Sequence, residues 1–395
     1  MTERSQSPES QSPETDPFAD IRPYTADEAP AVLAALATDT ELAATVAMWR
    51  LTTLNRWLPS LARWLAMRWL ARQGRGLRTV EDLQNLIAPN LARMIKKTSR
   101  FTVTGLDQLD TSTFRVYVGN HRDIVMDPAY ANYALHARGA RTLAIAIGDN
   151  LLSKPWISDL MRLNKSFVVK RHLAGPRALL AAAKQLAAFI RQSVEQGDNS
   201  IWIAHREGRA KDGRDVTEPA VIKMLSMARD REESVEEMLA RLRIVPLTIS
   251  YELDPCDVRK AAELNAGADY KKSEFEDISS IATGITGTKG CVHLHFGSEL
   301  AGGQSVEDVV RQIDRQMVDH YRLFPTNLWA WQWLHQRPAP PGLPVHKGSV
   351  PESAFRARID AAAPELRERI LTMYANPVAR MLEMTGSSEG AGIGR

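Results

Sequence analysis

Only two cysteines occur in the chain, Cys256 and Cys291, and they lie far apart with no CxxC pair. A disulfide framework and a zinc ribbon are therefore excluded, and a reducing, intracellular compartment is expected. No stretch reaches the roughly 18 uninterrupted apolar residues that a membrane-spanning helix requires. Residues 1–20 are rich in Ser, Pro and Glu and lack a positive segment followed by an apolar one, so no secretory signal is read there. Net charge is small, +3 over 395 residues, which argues against a chain that binds nucleic acid as a whole. The expected location is cytoplasmic, with any membrane contact peripheral and on the cytoplasmic face.

With 44% hydrophobic residues, the chain can bury one large core or two modest ones. Its charge is uneven. Residues 1–30 hold seven acids and two bases, whereas residues 49–100 hold eleven Lys and Arg against Glu81 and Asp82. A basic segment beside a near-neutral body points to an anionic surface as partner. Residues 1–26 read as a disordered tail by composition. From Asp27 to Arg72 the pattern is helical, broken at Pro59. That segment interleaves Trp49, Trp57, Trp64 and Trp69 with Arg50, Arg56, Arg63, Arg68 and Arg72. Indole and snorkelling arginine suit a water–lipid boundary. A helical hairpin packed on its own domain fits the same residues.

A further helix is expected over Val80–Lys97. Short β-rich runs follow at Phe101–Val103, Phe114–Val118, Thr142–Ile147, Phe167–Lys170, Ser200–Ala204, Ile244–Ser250 and Cys291–Phe296, alternating with helical patterns such as Ala178–Glu195. Alternation of this kind implies an α/β sheet with helices on its faces. Pro325–Arg395 is again helical, with a proline-rich linker at Pro338–Pro344. The expected divisions are 1–26 tail, 27–98 helical segment, 99–303 α/β domain and 304–395 helical region.

Four constellations carry chemistry. The first, Gly119-Asn120-His121-Arg122-Asp123-Ile124-Val125-Met126-Asp127-Pro128, leaves a strand and enters a helix, which places side chains at the sheet's carboxyl edge. A histidine there accepts a proton from a substrate hydroxyl, and an aspartate in the next turn fixes its tautomer. A helix cap with no further role is the bland alternative. His121-Arg122-Asp123 also spells the start of a protein-kinase catalytic loop. That loop needs Asn five residues after its Asp, where this chain has Pro128, and no DFG or nucleotide-binding glycine loop accompanies it. The second constellation is Phe167–Arg171, a β run ending in Lys170 and Arg171. The third runs from Ile201 to Arg214 and brings Glu207, Gly208 and Arg209, with Gly213 and further cations, to another strand end. Glycine admits close approach of a ligand, and arginine binds phosphate oxygens bidentately. The fourth, Ile244–Tyr251, is an apolar strand with Pro246 near its start.

Taken in order, these blocks resemble the four motifs of the glycerol-3-phosphate and 1-acylglycerol-3-phosphate acyltransferase superfamily, nearest its bacterial glycerolphosphate acyltransferase branch, across about residues 100–300. Asn120-His121 matches the first motif, Arg171 closes the second, Glu207, Gly208 and Arg209 match the third, and Val245-Pro246 the fourth. Ile249-Ser250-Tyr251-Glu252 looks like that branch's extension. Two spacings depart from the pattern. Five residues separate His121 from Asp127 where the family has four, and the residue between Glu-Gly and Arg is missing. Asp127 is favoured as the partner of His121 because it keeps the motif's end position, with Asp123 the other candidate.

The resemblance implies an α/β fold with a central mixed sheet, helices on both faces, and N- and C-terminal helical segments. It implies acyl transfer from acyl-CoA or acyl carrier protein to a hydroxyl of glycerol 3-phosphate or 1-acylglycerol 3-phosphate, in phospholipid biosynthesis, with no cofactor beyond the donor. His121 would be the base, supported by Asp127 or Asp123. Asn120, Arg122, Lys170, Arg171, Glu207, Gly208 and Arg209 would surround the acceptor, and an anionic membrane surface would be a further partner. A catalytically silent relative that binds lipid at a membrane is the rival reading. His293 and His295 share a strand face. Without a third ligand they read as a plain face rather than a metal site. Trp329, Trp331 and Trp333 read at least partly as core.

Overall fold

The computed structural model describes residues 16–152, 154–270 and 276–386. Seven strands form one sheet: β1 (Ser99–Thr104), β2 (Val116–Gly119), β3 (Ala144–Gly148), β4 (Ser166–Val169), β5 (Ile201–Ala204), β6 (Val245–Tyr251) and β7 (Gly290–Phe296). Their order is β1-β7-β6-β2-β5-β3-β4. The five strands from β6 to β4 run parallel. β7 lies antiparallel to β6, and β1 parallel to β7. The sheet is thus mixed, and all seven β-rich runs in the sequence lie in it.

Alternate residues of the central strands enter different cores, as the period of two requires. Val116, Val118, Ile201 and Ile203 pack with Leu186, Phe189 and Ile190 of helix Pro176–Glu195 and with Val309 and Ile313 of helix Val306–His320. Tyr117 and Trp202, on the other face, pack with Tyr130, Ala131 and Ala134 of helix Met126–Ala137 and with Ile95 of helix Val80–Thr98. Helices cover both faces. A separate core around Trp331, Phe355 and Tyr374 joins helices Pro325–His335, Glu352–Asp360 and Pro364–Thr385. Trp331 is fully buried there, Trp333 stacks on Phe355, and Trp329 meets the same ring at a tilt.

Two sequence expectations are corrected. Residues 1–15 lie outside the described residues, but residues 16–26 are not a free tail. Ile21 is 1% exposed within the sheet core, its carbonyl accepts from the Val168 N–H at 2.8 Å, and Phe18 meets Phe189 edge-on. A few apolar residues among many polar ones suffice to dock a strap, which composition averages away. The helical segment is also broken three times rather than once, into Ala29–Thr38, Thr40–Arg50, Thr52–Trp57 and Pro59–Gly74. Asp39 caps the second helix by accepting from the Leu42 N–H. Pro59 opens the fourth at a position that needs no N–H.

Ala43, Ala47, Ala62 and Ala66 form the seam between two of these helices, so the backbones approach closely and the large side chains are left outside. Trp57 is 74% exposed and Trp64 52%, with Trp49, Leu58, Leu61 and Trp69 also outward. Arg50 lies over the Trp69 ring and Arg68 over Trp64. Among the described residues no single helix is long and apolar enough to cross a membrane.

Candidate functional site

All five parallel strands deliver their carboxyl ends to one edge of the sheet. There, loops after β2, β3, β4 and β5 line a cavity of about 630 Å³ that contains His121, Lys170, Arg171, Arg206, Glu207, Gly208, Arg209 and Lys211. Open parallel sheets place ligands at this edge because successive loops diverge there.

His121 stands just past β2. Its Nδ1 is 2.8 Å from Asp127 Oδ2, and the same oxygen accepts from the N–H groups of Arg122 and Asp123 at 2.6 and 2.8 Å. The imidazole meets Trp202 edge-on at 5.4 Å between centroids. Asp127 lies in the first turn of helix Met126–Ala137, where the helix dipole favours a negative charge. With Nδ1–H donated to the carboxylate, Nε2 is left as the basic nitrogen.

Asp123 does not reach the imidazole. Its Oδ1 accepts from the Val125 and Met126 N–H groups at 3.0 and 2.9 Å, and burial with the nearby Asp127 charge raises its carboxyl above the usual range. It ties down the turn that leads into helix Met126–Ala137.

Asn120 and Arg122 are likewise corrected. Neither lines the cavity: Asn120 is 2% exposed and Arg122 7%. Asn120 Nδ2 donates to Asp215 Oδ2 at 2.9 Å and to the Ile249 carbonyl, while its Oδ1 accepts from the Ile249 N–H. Arg122 Nη2 donates to the same Asp215 oxygen at 2.6 Å and to the Gly213 carbonyl. The two residues flanking His121 are thus struts to the loop after β5. Asp215 receives both. Burial alone would raise its carboxyl, but Arg122 and His205 outweigh that and hold it below the ordinary range. The sequence reading missed Asp215, because nothing in Arg214-Asp215-Val216 sets it apart from a solvated loop acid. Trp202 was read only as part of a strand. Its indole leaves no room for a side chain at Gly119, whose added Cβ would lie 2.7 Å from Trp202 Nε1.

The opposite wall is cationic. Arg171 Nη1 lies 3.8 Å from Glu207 Oε1, and its backbone N–H donates to Asp149. Lys170 is paired to Asp20 of the N-terminal strap, and Lys211 to Glu263. Arg209 makes no hydrogen bond or ion pair with any of the described residues. Gly208 has φ +71°, with open space where a Cβ would stand. Beside this cavity, sharing Ile124, Ile147 and Leu151 with it, is a second one of about 360 Å³. Its walls include Ile87, Leu91, Met94, Ile145 and Ile285.

His293 and His295 lie elsewhere. Both nitrogens of His293 meet threonine hydroxyls, Thr102 at 2.8 Å and Thr104 at 3.0 Å, and His295 stacks on His320.

Residues 100–250, which span β1 to β6 and all the cationic loops, match the family model described as Acyltransferase. Among solved structures, the crystal structure of the 1-acyl-sn-glycerophosphate (LPA) acyltransferase PlsC from Thermotoga maritima matches at 15% identity with a TM-score of 0.34, over 70% of this chain and 95% of that one. No curated protein matches. Residues 100–250 thus match an acyltransferase domain, and that match supports an acyltransferase enzyme.

Proposed function

We propose that the protein moves a fatty acyl group from acyl-CoA or acyl carrier protein to a hydroxyl of glycerol 3-phosphate or 1-acylglycerol 3-phosphate. The observation that carries this is one cavity holding both a histidine bound to a buried carboxylate and a cation, Arg209, that makes no hydrogen bond or ion pair with the described residues and reaches Asp254 only through its charge. His121 Nε2 takes the hydroxyl proton as the acceptor oxygen attacks the thioester carbonyl. The tetrahedral adduct collapses, the C–S bond breaks, and the imidazolium returns the proton to the leaving thiolate. Asp127 steadies the imidazolium. Arg171 and Arg209 hold the acceptor phosphate, Glu207 orients Arg171, and the Gly208 N–H, which has no partner among the described residues, faces the developing oxyanion. The thioester is already activated, so this chemistry calls on no metal or further cofactor.

The neighbouring cavity fits the acyl chain, since its walls are mostly apolar, with Ile87, Leu91, Met94, Ile145 and Ile285 among them. The tryptophan- and arginine-bearing hairpin suits a bilayer with anionic headgroups. Indoles sit at the interface and arginines meet phosphates, and no acid occurs between Glu41 and Glu81. The protein would then work peripherally on the cytoplasmic face.

The deciding experiment measures thiol release from acyl-CoA and from acyl carrier protein with a panel of phosphorylated glycerol acceptors. Release that requires one of these acceptors and vanishes in a folded His121→Ala variant is expected. Absence of release with every acceptor, in protein that still binds acyl-CoA, would favour a silent lipid-binding relative.

A further inference from the structure

Four donors converge on the Asp127 carboxylate, which is 2% exposed. Three of them reach Oδ2: His121 Nδ1 and the Arg122 and Asp123 amides. Among the described residues Oδ1 has a single donor, the Tyr251 hydroxyl at 2.7 Å. Tyr251 is the last residue of β6. Two residues earlier, on the same face of that strand, Ile249 holds the Asn120 side chain, its N–H donating at 2.7 Å and its carbonyl accepting at 3.0 Å. β6 therefore grips the base-bearing loop on both sides of His121, through the residue before it and through Asp127 beyond it.

A Tyr–Asp contact made only to satisfy burial would leave the reaction unaffected when both groups stay folded. The arrangement argues for more. Oδ2 is committed to the imidazole and to two backbone amides, so the carboxylate's remaining rotation is set by whatever holds Oδ1, which among the described residues is Tyr251. We propose that Tyr251 is a positioning residue for acyl transfer, its hydroxyl fixing Asp127 in the orientation that presents Oδ2 to His121 and drawing off part of the carboxylate's charge. This rests on His121 being the base. Burial and the Asp127 charge push the Tyr251 hydroxyl well above its ordinary range, so it remains a donor throughout the working pH. Other titratable groups around Asp127 have their own partners. Asp123 is turned to the Val125 and Met126 amides, Tyr130 donates to Ser99, and Lys260 donates to the Arg122 carbonyl and to Asp254. Arg122 is bound to Asp215.

The test is a double-mutant cycle of Tyr251→Phe and Asp127→Asn, with His121→Ala alongside. Tyr251→Phe should lower kcat on the order of ten- to a hundred-fold, the range that a hydrogen bond to a charged group represents, with KM for both substrates nearly unchanged. Without the hydroxyl the carboxylate keeps more charge against the imidazole and holds the imidazolium more tightly. The acidic limb of kcat/KM therefore moves to higher pH. In the Asp127→Asn background the same change should cost nothing further, whereas a merely structural tyrosine would cost as much there as in the wild type. An unchanged kcat, an unmoved limb or an additive cycle overturns the proposal. Should Tyr251→Phe fail to fold, a fluorotyrosine placed at 251 alone keeps the shape and strengthens the donor; the acidic limb should then move to lower pH, and no shift refutes the role. An active His121→Ala removes the base and this proposal with it. A dead His121→Ala beside an unimpaired Tyr251→Phe removes only the role of Tyr251.

Discussion

His121 and Arg209 face the same cavity, but their surroundings are opposite. Around His121 the protein spends its buried polar groups on one another: Asp127 takes four donors, Asp215 takes Asn120 and Arg122, and Asp123 takes the Val125 and Met126 amides. Around Arg209 the groups are half-exposed or loosely held, with Glu207 71% exposed and 3.8 Å from Arg171. A proton must be taken at one atom in one direction, so the base wall is assembled before substrate arrives. A phosphate offers several equivalent oxygens, so the cation wall can close on its ligand.

That contrast predicts where losses fall. Asp127→Asn should be the most damaging to turnover, about 10³–10⁴-fold in kcat, since an amide holds the imidazole in the wrong tautomer. KM should hardly move, because Asp127 does not line the cavity. Steady-state kinetics with saturating donor check this, and a rise in KM with kcat preserved would place the residue on the wrong wall. Arg209→Ala should act the other way, raising the acceptor KM about ten-fold or more with a smaller change in kcat. A fall in kcat matched by an equal fall in kcat/KM, with KM unchanged, would mean that Arg209 serves the transition state alone. Lys should restore part of the binding but not the bidentate fork.

The two walls were also unequally legible in the sequence. His121 and Arg171 stand two residues past apolar β runs and Arg209 five, and a strand end followed by charge is visible without coordinates. The seven strands were legible for the same reason. Asp215, Tyr251 and Trp202 were not, because each acts across strands that are distant in sequence. Asp215 meets Asn120 from 95 residues away and Tyr251 meets Asp127 from 124. Asn120 and Arg122 were read as ligand contacts because they adjoin the histidine, whereas alternation and the turn after β2 direct them inward. The docking of Ile21 was hidden by the polar residues around it. Sequence thus revealed which chemistry is carried and largely missed what holds it still.

Acid should expose the same asymmetry in stability, with a smaller effect. Beneath the base wall lies His205, fully buried, with Nδ1 3.4 Å from Thr217 Oγ1 and Nε2 3.8 Å from Asp215. Burial lowers it from 6.5 to about 4, against the pull of Asp215. Above pH 6.5 it is neutral in both folded and unfolded chains and contributes no pH dependence. Between 6.5 and 4 the unfolded chain takes up the proton that the folded chain refuses, so stability falls as pH falls. At pH 5 the loss from this residue is about 2 kcal/mol. The carboxylates held low, Asp215 among them, keep their contribution through this window because they protonate only below about pH 4. His293 and His295, also lowered by burial, to about 3 and about 4, add to the slope in the same direction. Urea unfolding at pH 7.5 and pH 5 should show the decline in the wild type. His205→Gln, which cannot take up the proton, should reduce it by about the stated amount relative to its own value at pH 7.5. If His205→Gln declines as steeply as the wild type, the imidazole is already charged when folded, and the neutral, prearranged base wall is wrong at its deepest residue.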